Sequence, residues 1–387
     1  MNTNLSSLKN PTPLLLAEKN KETSRKHLVW AFGRHLNHTT ENLGIVMTQE
    51  FHYDLFPFSM ELSRLRRLPA MISSLHMING KLRAFSSIHP WTKSQVHLPS
   101  TVDNWPVMII MGSHILGQGC HFFYQDLDVN SVIRDRLDDK PTYMYDDVPL
   151  SLLQKMYDRQ LKEYEHAQAV FTMSEWVRRS IVRTQAIAES KVYTVNAAPN
   201  IAVHFDTNPY SPRNLEAQSL VFAGRDFHRK GGEILLRAWP QVLQSVPNAE
   251  LKIIGPSPST VHTDLPSVRV LGPLGAKDMI QEVGSSTGLV IPSLWEPYGI
   301  AFLEAMSLGL PVIGTNHMAM PEFIVPGTGY LVSPYNTEEL AEAMIRLLSE
   351  KDKTWVMSQR AFRHAQSYQW SIVASKMDRV MSQVIDT

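Results

Sequence analysis

Cysteine is nearly absent from this 387-residue chain. With Cys120 as its single thiol, no intramolecular disulfide framework can form, and a reducing compartment is expected. Net charge is absent too: 37 Lys and Arg balance 37 Asp and Glu, so no global field draws the chain to nucleic acid. Long apolar runs are missing as well. Over residues 1–26 the apolar stretch is only Leu14-Leu15-Leu16-Ala17, too short for a signal-peptide core or a membrane span. These absences lead us to expect a loose tail over 1–26 followed by a cytoplasmic protein. What is present is globular in character, with 43% hydrophobic residues and enough length for two domains, each with its own core.

Strand and helix patterns alternate along the chain. The first half reads as strands at 27–32, 94–98, 120–124, 169–172 and 192–195, with helices at 39–51, 106–116, 148–165 and 175–183. The second half repeats the alternation. Its strands are expected at 219–223, 250–254, 268–271, 288–291 and 311–314, and its helices at 232–245, 276–283, 300–308 and 337–349. Such alternation predicts parallel sheets with right-handed crossovers in both halves. The stretch 208–218, with Pro209 and Pro212, reads as the linker.

Two segments carry chemistry. In the first, Glu296-Pro-Tyr-Gly299-Ile-Ala-Phe-Leu-Glu304, two carboxylates stand eight positions apart at what reads as a helix start. On one continuous helix they would diverge by about 80°. With Glu296 on the entry loop and Glu304 inside the helix, they converge on one ligand. Pro297 and Gly299 suit that irregular entry, while Gly309 and Pro311 end the helix. Backbone N–H groups of Gly299, Ile300 and Ala301 then face an anion, and the carboxylates accept hydroxyl hydrogen bonds. Anion plus polyol describes a nucleotide sugar. The competing explanation is a dipole-favoured Glu296 and a solvated Glu304.

The second segment is Gly224-Arg225-Asp-Phe-His-Arg-Lys230-Gly231, between an apolar strand and an amphipathic helix. Strand, glycine-containing loop and helix is the general form of a phosphate site, although neither the Walker A nor the dinucleotide glycine spacing is present. Arg225 and Lys230 supply a fork and a point charge for phosphate.

With Ala169-Val-Phe-Thr-Met-Ser174-Glu175-Trp176 and Gly327-Thr-Gly-Tyr-Leu-Val-Ser-Pro334, these segments resemble glycosyltransferase family 4, a group of mostly retaining, metal-independent enzymes. The likeness runs from about residue 145 to the end and is weak before that. It implies the GT-B fold: α/β, two Rossmann-like domains with parallel sheets facing a central cleft. The acceptor-binding domain would cover 27–207 and the nucleotide-sugar domain 219–365, with a final helix in 366–387 packing back on the first domain. It further implies a nucleoside diphosphate sugar as donor, no metal or other cofactor, and a glycan, lipid-linked or small-molecule acceptor. Arg225 and Lys230 would neutralise the diphosphate beside Gly224, Glu304 would hold the ribose, and Glu296 would hold hydroxyls of the transferred sugar. Tyr298 and the N–H groups of 299–301 would complete the donor site, with Val270, Leu271 and Pro273 near the base.

The acceptor side departs from the family. Of the glycine-rich loop common in relatives, only Gly33 remains at 33–40 to permit close backbone approach. Asp126, ending the strand at 120–124, is the candidate for acceptor binding or proton handling, with Gln125 as its polar partner and an ordinary capping role as the alternative. His121 is read as a core residue. Asp126-Leu-Asp128 has the form of a metal motif from another glycosyltransferase fold, but aspartates beside helix starts are common caps, and no metal is expected. The segments at 61–72 and 176–183 place basic and apolar residues at helical spacing. They suit either an anionic membrane surface or an ordinary core-facing helix. Met318-Ala-Met320-Pro-Glu322 is read as either a donor contact or packing. Three classes of function remain: a retaining glycosyltransferase of glycan, polysaccharide or glycolipid synthesis, another GT-B activity such as an epimerase or phosphorylase, and a catalytically silent nucleotide-sugar-binding protein.

Overall fold

The computed structural model describes residues 25–33, 38–62, 64–73, 75–78, 81–84, 95–112, 114–202 and 205–385. Of the tail expected over 1–26 all but residues 25 and 26 lies outside them, with Lys26 already in the first strand, and so does most of the loop after Gly33. The first domain holds strands β1 (Lys26–Phe32), β2 (Tyr53–Ser59), β3 (Leu75–Ile78), β4 (Lys81–Ala84), β5 (Val107–Ile110), β6 (His121–Gln125), β7 (Ala169–Thr172) and β8 (Val192–Thr194). Six form a parallel sheet in the order β2-β1-β5-β6-β7-β8, and β3 and β4 make a separate antiparallel ribbon. The second domain holds β9 (Ser219–Ala223), β10 (Glu250–Ile254), β11 (Val268–Gly272), β12 (Gly288–Val290), β13 (Val312–Thr315) and β14 (Gly329–Val332). They form a parallel sheet in the order β11-β10-β9-β12-β13-β14. The core strands β5, β7, β12 and β13 are buried along their whole length because helices cover both sheet faces.

Two expectations fail in the first domain. The stretch expected as a helix at 106–116 contains strand β5, and described residues 95–98 form no strand. Val107-Met-Ile-Ile is a short apolar run, which periodicity cannot assign to strand or buried helix. Pairing with β1 and β6 on either side decides for strand. The stretch read as a linker contains a short helix, Pro212–Glu216, whose Asn214 is buried. Its amide donates to the carbonyls of Gly284 and Ser286.

The final helix, Trp370–Ile385, lies against the first-domain helix His38–Gln49. Asp378 on it receives Lys26 Nζ at 3.3 Å and the Tyr53 hydroxyl at 2.9 Å. Trp370 donates its indole N–H to the carbonyl of Pro199 at the domain crossover. Among the described residues no helix is long and apolar enough to cross a membrane.

Candidate active site

The order of the second sheet reverses between β9 and β12, and ligands of such sheets bind beyond the strand ends at that reversal. Both motif segments lie there. Gly224 follows β9, and a Cβ at that position would collide with the Lys230 stem, so glycine lets the lysine cross the loop. Lys230 then reaches Glu296, with Nζ 2.7 Å from Oε2. Gly299 holds φ at +92°, in the left-handed region open to glycine, and the helix Ile300–Ser307 begins immediately after it. First-turn N–H groups have no acceptor within their own helix. Glu304 sits one turn in, and its Oε1 accepts the backbone N–H of Asn200 at 3.2 Å.

Arg229 is the residue that sequence reasoning missed. Its Nη1 donates to the carbonyl of Trp295 at 2.6 Å and lies 3.4 Å from Glu296 Oε2, while its Nε contacts Asp226. The available signal was a second cation directly before Lys230. Arg225, by contrast, is exposed. Burial pushes the Glu296 carboxyl up, but Lys230 and Arg229 outweigh it and hold it below the usual range. Burial raises Glu304, with the Asn200 N–H working against it.

Across the cleft, Asp126 follows the last residue of β6. Burial, reinforced by the negative charge of Glu296, raises its carboxyl to about 6, against hydrogen bonding with its own backbone. The structure thus brings Asp126 into the field of the Glu296 cluster. Gln125 is buried and donates to the carbonyl of Gly112 at 2.6 Å, so its amide is tied to the chain leaving the neighbouring strand β5. A Cβ on Gly33 would meet open space. Beside Arg229 a cavity of about 500 Å³ opens between the domains, lined in part by Tyr143, Asp146, Asp226, His228 and Tyr335.

One assignment needs correction. Tyr298 was grouped with the donor residues, but its ring is buried against Phe323 and its hydroxyl bonds both the N–H and the carbonyl of Ala197, at 2.9 and 3.2 Å. It joins the two domains at their crossover. Leu271 and Val270 are half-buried on β11, whose end meets the Gly224 loop through Gly255. His121 is a core residue, with Nε2 against the Leu116 backbone and its pKa lowered by burial. Asp128 precedes the helix Val129–Leu137 and receives the Ser180 hydroxyl, separately from Asp126. Among the described residues no cluster of three His, Cys, Asp or Glu suits a metal ion.

The Met318 sulfur accepts the Glu296 N–H at 3.3 Å, which places this side chain against the Glu296 loop. Glu322, from the same segment, accepts the N–H groups of Glu175 and Trp176 at 2.7 and 2.6 Å. It caps a first-domain helix from the second domain.

Residues 217–350 match the family model described as Glycosyl transferases group 1. The paired six-stranded parallel sheets are those of the GT-B fold, and the family match falls on the second of the two domains. The chain is similar to the GDP-mannose-dependent monoacylated α-(1-6)-phosphatidylinositol monomannoside mannosyltransferase of Corynebacterium glutamicum, at 30% identity over 167 residues, 40% of this chain and 44% of that protein. The chain spans about half the length of the curated relatives it matches. In fold the GT-B chain is similar to sucrose-phosphate synthase from Thermosynechococcus elongatus, with a TM-score of 0.67 at 15% identity, covering 94% of this chain and 100% of that one. Anabaena HepE in complex with UDP-glucose gives a TM-score of 0.62 at 13% identity, covering 92% and 100%.

Proposed function

We propose that this protein is a glycosyltransferase that moves a sugar from a nucleoside diphosphate sugar to a hydroxyl acceptor, with retention of configuration. The observation carrying the proposal is the pairing of Lys230 with Glu296 at the mouth of a helix N-terminus, with Asp126 opposite. A cation, outward N–H groups and carboxylates within one cleft suit a diphosphate joined to a polyol.

In this reading Lys230 and Arg225 hold the diphosphate as it leaves, assisted by the N–H groups of Gly299, Ile300 and Ala301. Such preorganised charge stabilises a leaving oxyanion by several kcal/mol and takes the place of a metal. Glu304 binds the ribose and Glu296 the hydroxyls of the transferred sugar. Asp126 binds the acceptor hydroxyl and handles its proton, its raised pKa lying close to the working range of a general base. The cavity beside Arg229 gives the acceptor room to enter. HepE was captured with UDP-glucose, and the Corynebacterium relative depends on GDP-mannose, so the donor base is a matter for screening. Both the mannosyltransferase and the relatives named D-inositol 3-phosphate glycosyltransferase support a sugar- or inositol-type acceptor in glycolipid or glycan synthesis.

The test is a screen of UDP-, GDP-, ADP- and dTDP-sugars against glycan, lipid-linked and inositol-type acceptors. It follows nucleoside diphosphate release and the anomeric configuration of the product by NMR. Acceptor-dependent release with a retained anomer supports the proposal. Donor binding with no transfer to any acceptor favours a silent binding protein instead.

A further inference from the structure

The two carboxylates of the second-domain motif are held in different ways. Glu296 has Lys230 and Arg229 as counter-ions. Glu304 has none: among the described residues, the one hydrogen bond its side chain makes is from the backbone N–H of Asn200, at 3.2 Å to Oε1. An ionised carboxylate offers about four acceptor sites, so this bond fixes one oxygen and leaves the other for hydroxyl groups. The N–H also favours the ionised form against the burial that opposes it. How Glu304 stands therefore depends on how Asn200 is held.

Asn200 is held by the other domain. Its Nδ2 donates to the Thr39 hydroxyl at 3.1 Å, and its Oδ1 receives Asn42 Nδ2 at 3.2 Å. Both partners stand near the start of the first-domain helix His38–Gln49. Thr39 is buried, and Asn42 and Asn200 are half-buried, so solvent is a poor substitute for these bonds. Neighbouring contacts fix the chain just before Asn200. The Pro199 carbonyl accepts the Trp370 indole N–H at 2.9 Å, and the Ala197 N–H donates to the Tyr298 hydroxyl. One residue thus meets Glu304 with its main chain and a first-domain helix with its side chain.

We propose that Asn200 is a positioning residue for Glu304, and that Thr39 and Asn42 of the first domain set nucleotide affinity through it without touching the nucleotide. The inference rests on Glu304 as the ribose ligand. It gives the acceptor side of the cleft a hold on donor binding, because the helix His38–Gln49 starts within the acceptor-side stretch 33–40. A shift of that helix start moves Asn200, and the Glu304 carboxylate with it. The path is a short chain of named hydrogen bonds, so it is open to direct measurement of coupling.

The test is a double-mutant cycle on the full chain, read by calorimetry with UDP, GDP and ADP well below the melting temperature of every variant. Asn200→Ala keeps the N–H but removes its supports, and should weaken the nucleotide that binds by about fivefold or more. Thr39→Val, nearly equal in shape, should weaken it by about threefold, and Thr39→Ser should restore the parental affinity. These losses should persist in the Arg225→Ala background and vanish in the Glu304→Ala background. A general weakening of the fold would lower affinity equally in both backgrounds, and such additive losses would overturn the proposal. So would undiminished binding by Asn200→Ala where Glu304→Ala binds weakly. Parental affinity in Glu304→Ala, or no binding by the parent, would instead overturn the ribose assignment and this inference with it.

Discussion

Lys230 and Glu296 are each other's counter-ion: Nζ stands 2.7 Å from Oε2, and both side chains are only 12% exposed. A diphosphate arriving at Lys230 must therefore displace a carboxylate already bound there, and Glu296 is released toward the sugar at the same moment. The variant Glu296→Gln removes that competitor. Nucleoside diphosphate binding by calorimetry should stay unchanged or tighten by up to about tenfold, while sugar transfer falls by about a hundredfold or more. A parallel loss of both would show that Glu296 supports the loop rather than the sugar.

Arg225 and Glu304 are expected to separate the two halves of the nucleotide. Arg225 is exposed and is proposed to bear on phosphate alone, so Arg225→Ala should weaken a nucleoside diphosphate by about tenfold or more and leave the free nucleoside almost unaffected. Glu304→Ala should weaken both, because the ribose is common to them. Equal losses for Arg225→Ala would contradict its assignment.

Asp126 gives a pH dependence with a definite sign. Its carboxyl rises from 3.8 to about 6 on folding, so the folded chain binds more protons than the unfolded chain between those values. Its contribution to stability therefore declines as pH rises through that window. Asp126→Asn should be more stable than the parent above pH 6, by on the order of 1–3 kcal/mol, with the gain vanishing below the unfolded value. Melting curves across the window check this, and a gain largest in acid would contradict it.

Glu322 holds a helix that is not in its own domain, through two short hydrogen bonds to the N–H groups of Glu175 and Trp176. Glu322→Ala leaves both donors without their partner. A cost of about 1–3 kcal/mol follows, read as a lower melting temperature and faster proteolysis at the crossover. Unchanged melting and proteolysis would mean that this cap is dispensable.

How much could be read in advance followed from how locally each feature is determined. The loops at 224–231 and 296–304 were legible because glycine and proline fix their backbone and the strand and helix beside them have clear periods. Arg229 and Tyr298 were not, because their side-chain directions depend on Trp295 and on Ala197 in the other domain. Val107–Ile110 was misread for a related reason: only its two neighbouring strands mark it as extended. Glu322 likewise gains its role from a helix end about 150 positions earlier in the chain, which no local pattern in the sequence announces.

The account turns on a metal-free nucleoside diphosphate site in the second domain. Its most direct test is the melting temperature of the full chain with UDP, GDP, ADP or dTDP, each in EDTA. At one hundred times its dissociation constant a ligand adds about 2.7 kcal/mol to stability. The account predicts an upward shift with at least one nucleotide in EDTA, reduced in Arg225→Ala. A shift that appears only when a divalent metal is added, or none with any nucleotide, would contradict it.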